Sequence, residues 1–117
     1  MGVQRTKKTE QKYKKFIAEG FLADECNLCN KTKLIKEFKH WKIVNNEFPW
    51  DRIAKINHMI IPKRHIIYEE LNKTEKKEFE SIKSAYIEKE YELIAEVTER
   101  KKSIPDHFHI HLIILKN

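Results

Sequence analysis

The sequence predicts one domain that mixes strands with helices. Three observations carry that expectation. Residues 53–61 and 107–114 read as extended segments, rich in β-branched and apolar side chains. Thr6 to Glu19 and the stretch after Asn72 carry apolar residues at helical spacing. The length, 117 residues, suits one ordinary domain with one sizeable core.

Along the chain, Tyr13, Phe16 and Ile17 form one stripe of a basic helix over residues 6–19, with Gly20 as its stop. A knuckle follows at Cys26-Asn27-Leu28-Cys29. Phe38 to Val44 reads as a strand, and Asn45 to Trp50 as a loop. Ile53 to Ile61 is a second strand, ended by Pro62. Ile53, Lys55, Asn57, Met59 and Ile61 share one face, and His58 points to the other. Asn72-Lys73-Thr74-Glu75 has the form of a capping box, opening a helix that carries Phe79, Ile82 and Tyr86. Residues 90–98 alternate and read as a strand, with a helix continuing to Arg100 as the alternative. Ser103 to Asp106 is a turn, and the histidine-rich segment follows as the last strand.

Charge narrows the partners. The 24 basic residues outnumber the 18 acidic ones, for a formal net charge of +6. That favours an anionic partner without choosing among a nucleotide, a polynucleotide and a membrane surface. No apolar run approaches the length of a membrane span. Met1 to Glu19 is polar and lysine-rich, unlike a secretory signal, so the expected compartment is the cytoplasm. There, Cys26 and Cys29 suit metal binding better than a disulfide.

His107-Phe108-His109-Ile110-His111 puts three imidazoles on one strand face and Phe108, Ile110 and Leu112 on the other. The outer two rings would stand roughly 13 Å apart, too far for one metal to hold all three. A metal-binding strand is one reading. The other is covalent catalysis, because a neutral imidazole is both nucleophile and proton carrier at cellular pH. Neighbouring imidazoles then donate to charge building on a phosphoryl centre. Cys26 and Cys29 supply half of a tetrahedral zinc site, and His65 and His107 are the nominated partners.

These residues resemble a known family. His107-x-His109-x-His111 with apolar residues between and after resembles the signature of the histidine triad (HIT) superfamily. Asn57 to Ile61 followed by Pro62-Lys63-Arg64-His65 is similar to its second landmark. Cys26-x-x-Cys29 is similar to the zinc-binding members, and Asn46-Glu47-Phe48-Pro49 to a variant of the loop that meets the nucleoside. The landmarks occur in the family's order over about four-fifths of the chain, from Cys26 onward.

The resemblance implies an α+β domain, an antiparallel sheet of about five strands with one main helix packed on it. Residues 1–22 would be a basic N-terminal helical extension and 23–117 the HIT-like domain. It also implies hydrolysis or nucleotidyl transfer at the α-phosphate of a nucleotide. His109 would be the nucleophile and form a nucleotidyl-histidine. His111 would contact phosphate oxygens or assist the leaving group, and His107 would support the site or ligate zinc. The expected nucleotide contacts are Asn46, Phe48, Asn57, Ser103 and Lys101. A structural zinc would be held by Cys26, Cys29, His65 and His107, with no position left open for catalytic water. A homodimer is implied as well. Two other readings compete: a zinc- and nucleotide-binding regulatory module without strong catalysis, and a protein that processes nucleic-acid ends, which suits the positive charge. Two departures stand out. Lys101-Lys102-Ser103 occupies the region where many members carry Gly-Gln-Ser, and Asn57 stands where the family often has a histidine.

Overall fold

The computed structural model describes residues 5–18, 33–98 and 107–117, with backbone only for 16–18. Five strands form one antiparallel sheet: β1 (Leu34–Glu37), β2 (Trp41–Asn45), β3 (Ala54–Pro62), β4 (Leu93–Ala95) and β5 (Ile110–Leu115). Their spatial order is β1-β2-β3-β5-β4, so the histidine strand lies inside the sheet, between β3 and β4. Helix α1 spans Lys7–Ala18, and the main helix α2 spans Lys73–Ile82. A π-helical turn, Lys83–Ile87, and a last turn, Glu88–Glu90, extend α2. This is the α+β architecture expected.

Three boundaries differ from the sequence reading. Phe38 to Val44 is not one strand. The Phe38 N–H donates to the Trp41 carbonyl at 2.8 Å, closing a hairpin turn between β1 and β2. Residues 90–98 hold only a three-residue strand, because the helix runs to Glu90. His107 and His109 precede the β5 ladder, which starts at Ile110 opposite Ile60. The next residue of β3 on that face, Pro62, has no N–H to offer, so the regular ladder stops there. The chain is held instead by the Phe108 N–H donating to the Ile66 carbonyl at 2.7 Å.

One sheet face builds the core. Trp41, Ile43, Ile60, Ile110, Leu112 and Phe108 pack with Ile82 and Ile87 of the main helix, and Phe79 and Tyr86 lean on the cluster. Trp41 is the joint. It is fully buried, its indole N–H donates to the Glu75 carbonyl at 2.9 Å, and its ring meets Phe79 and Phe108. The expected capping box is present: the Glu75 N–H donates to Asn72 Oδ1 at 2.8 Å, and the Asn72 N–H to Glu75 Oε1 at 2.9 Å. The Glu75 carboxylate also takes a forked contact from Arg64, at 2.9 and 2.7 Å, which holds its pKa below the usual carboxylate range. The segment after β3 is thereby tied to the helix start. Among the described residues, no helix is long and apolar enough to cross a membrane.

Candidate active site

The opposite sheet face carries His111, and His107 and His109 precede its strand. Register puts Val44, Met59, His111 and Ala95 in one row across β2, β3, β5 and β4. Asn57, two residues before Met59, shares that face and sits diagonal to His111. His58 faces the core side, as expected, where its Nδ1 meets the Tyr91 hydroxyl at 2.6 Å. His107, His109 and His111 are all buried, at 1, 5 and 4 % exposure.

Hydrogen bonds decide which ring nitrogens carry protons. His109 Nδ1 lies 2.9 Å from the His107 carbonyl, which only accepts, so Nδ1–H donates, and in the neutral ring Nε2 carries the lone pair. The His111 argument runs through Asn57. The Trp50 backbone N–H donates to Asn57 Oδ1 at 2.9 Å, which settles the amide orientation. Asn57 Nδ2 then donates to His111 Nδ1 at 3.2 Å. His111 therefore carries its proton on Nε2. Asn46 braces the relay: its Nδ2 donates to Asn57 Oδ1 at 3.1 Å, while its own Oδ1 accepts the Phe48 N–H at 3.0 Å. Burial, the His109 ring and the Arg5 charge push the His111 pKa down to about 3, keeping the ring neutral at cellular pH. The two rings stand edge to face with centroids 5.5 Å apart. The pair thus sets the His109 imidazole beside an N–H donor on His111.

The β2–β3 loop closes over this pair. The Trp50 indole stacks on His111 at 4.0 Å between centroids. Phe48 is buried against Tyr13 of α1, and its carbonyl accepts from Arg5 Nε at 2.7 Å. Asp51 accepts from the Thr6 N–H at 2.8 Å and from the hydroxyls of Thr6 and Thr9, capping the start of α1 from outside the helix. These contacts hold the Asp51 pKa below its ordinary range despite the cost of burial. The N-terminal helix is therefore anchored to the loop that frames the histidines. The expected boundary between residues 22 and 23 lies outside the described residues. Trp50, Arg5 and Asp51 went unrecognised in the sequence reading. The only local signal was a Trp directly after the Asn-x-Phe-Pro loop.

Of the proposed zinc ligands, His65 and His107 are brought together, ring centroids 5.0 Å apart and edge to face. His107 Nε2–H donates to the Pro62 carbonyl at 2.9 Å, which leaves Nδ1 as the lone-pair nitrogen. Burial, above all, pushes its pKa down to about 4. A neutral ring held by a backbone carbonyl is the form that ligates metal. Cys26 and Cys29 lie outside the described residues, as do Ser103 and Lys101. Among the described residues, no group of three or more His, Cys, Asp or Glu side chains is placed to hold a metal ion.

The proton placement is directly measurable. We expect nitrogen NMR to find His111 protonated at Nε2, and Asn57→Asp to move a proton onto Nδ1, because a carboxylate only accepts. A wild-type spectrum with the proton already on Nδ1 would break the relay.

A solved structure titled "Hit Like Protein" aligns with this chain at a TM-score of 0.50 and 20 % identity, over 83 % of this chain and 95 % of that one. The fold is HIT-like. No protein-family model matches the sequence, and no curated protein matches it.

Proposed function

We propose that the chain is a nucleotide hydrolase or nucleotidyl transferase acting at an α-phosphate through His109. One observation carries the reading: the Nδ1–H of His109 is tied to a backbone carbonyl, which orients the ring so that Nε2 is the nitrogen that would attack, beside the N–H of His111. In the proposed reaction, His109 Nε2 bonds to phosphorus as the bond to the leaving group breaks. The leaving group takes the bonding pair and a proton from solvent, which the attacking water returns in the second step. His111 Nε2–H donates to a phosphate oxygen as charge builds there. Water then adds to phosphorus and the N–P bond breaks, returning His109 and releasing a nucleoside monophosphate.

Phe48, Trp50 and the apolar Val44, Met59 and Ile61 patch support an apolar surrounding for a base, and Asn46, Asn57, Ser103 and Lys101 remain the proposed polar contacts. The compartment proposed is the cytoplasm, and the proposed assembly a homodimer. The test is trapping. Acid-quenched protein exposed to an α-labelled nucleotide is expected to carry label on His109 by peptide mass spectrometry. Label on another residue, or substrate turnover without any labelled protein, overturns the assignment.

Zinc belongs to the same proposal. Cys26, Cys29, His65 and His107 would hold it, and it would add folding free energy rather than chemistry. Purified protein is expected to contain one zinc per chain, and Cys26→Ala to lose it together with thermal stability. Full zinc content in Cys26→Ala rules the ligand set out.

A further inference from the structure

An open cleft of about 520 Å³ lies at the seam between α1 and the loop that frames the histidines. Arg5, Lys7, Lys14 and Arg52 line it against a single carboxylate, Glu10, whose Oε1 is 3.5 Å from Arg5 Nη1. The cleft is therefore cationic. Outside it, α1 presents Lys8, Lys12 and Lys15, all exposed. Lys7 and Lys14 are two helical turns apart, about 10 Å along the axis. That span exceeds one phosphate and suits a chain of them.

Position adds to charge. Arg5 is 6 % exposed, its guanidinium lies 4.6 Å over the Tyr13 ring, and its Nε holds the Phe48 carbonyl. Asp51, next to Arg52, caps α1, and Trp50 on its other side stacks on His111. The basic surface is thus fixed against the loop that borders the candidate active site, rather than carried on a free tail. Arg5 lies near enough for its charge to act on His111.

We propose that this cleft and the lysine face of α1 hold the sugar–phosphate backbone of a single-stranded nucleic acid. Resting on the function proposed above, its terminal nucleotide is the group presented to His109. A nucleic-acid strand fits better than a membrane surface because the cations line a cleft beside the loop that borders the candidate active site, rather than a flat face. The buried anchors of this segment, Arg5 just before α1 and Tyr13 within it, pack on the protein and leave the lysines outward.

The test is fluorescence anisotropy with a labelled single-stranded DNA of about twelve nucleotides. Three contacted phosphates give a slope of log affinity against log salt of about −2. The triple variant Lys7→Glu, Lys14→Glu, Arg52→Glu is expected to bind about tenfold more weakly or worse, with a flatter slope. Turnover of a mononucleotide substrate should be unchanged. Neutralising the outer face with Lys8→Gln, Lys12→Gln and Lys15→Gln should act in the same direction, which keeps the test open if the first variant misfolds. A flat wild-type salt response, or unchanged binding in these variants, overturns the proposal. So does an equal loss of mononucleotide binding, which would make the cleft part of the small-substrate site. Phosphatidylserine vesicles that compete with the DNA with the same dependence on these cations would assign the surface to a membrane instead. His109→Ala should bind the DNA as tightly as wild type. Binding with no turnover in any protein would leave this surface standing and remove only the catalytic reading.

Discussion

His109→Ala is expected to lower nucleotide turnover by about 10⁴-fold or more, the scale seen when a covalent nucleophile is removed. His109 Nδ1 is held by the His107 carbonyl, which fixes the ring. His111→Ala should cost less, about 10²–10³-fold, because it removes one donor to developing charge and leaves the nucleophile in place. The order of the two effects matters more than either size. If His111→Ala is the more damaging and His109→Ala keeps wild-type turnover, the roles are reversed or the reaction is not covalent. Nucleotide binding by both variants should be measured alongside, because His111 also stacks on Trp50 and its loss loosens the loop.

Trp41→Ala is expected to destabilise the fold by about 3–5 kcal/mol, read as a fall in denaturant midpoint at constant slope. The side chain is fully buried, and its removal leaves a void between the sheet and the main helix. Against a total of about 5–15 kcal/mol for a domain, that is a large share. Trp41→Phe keeps most of the ring contact and loses the hydrogen bond to Glu75, so it should cost less, about 1–3 kcal/mol. The effect reaches the site, because the Trp41 ring packs against Phe108, between His107 and His109. A cost below about 1 kcal/mol for the alanine variant would mean that the sheet and helix are not joined here.

Much of the frame was legible without coordinates because its causes are local. Alternation puts Phe108, Ile110 and Leu112 on one face, and all three are in the core; it puts the three histidines on the other, where the register places His111, while His107 and His109 precede the ladder. Asn72 and Glu75 announce a helix start through bonds that span three residues. Alternation within 90–98 misled, because a run of mixed residues satisfies a helix end as well as a strand.

What the sequence determined by itself was the α+β composition, the cap of the main helix and the sheet face on which His111 lies. These follow from side-chain periodicity and short-range hydrogen bonding. The fold itself decided the rest. Asn57 reaches His111 only because β3 and β5 are neighbours, and the orientation of its amide depends on the Trp50 N–H. Arg5 and Asp51 matter only because α1 docks on the loop. Proton positions on a ring are set by whichever partner lies within about 3 Å, and partners distant in sequence are chosen by packing, which no local pattern encodes.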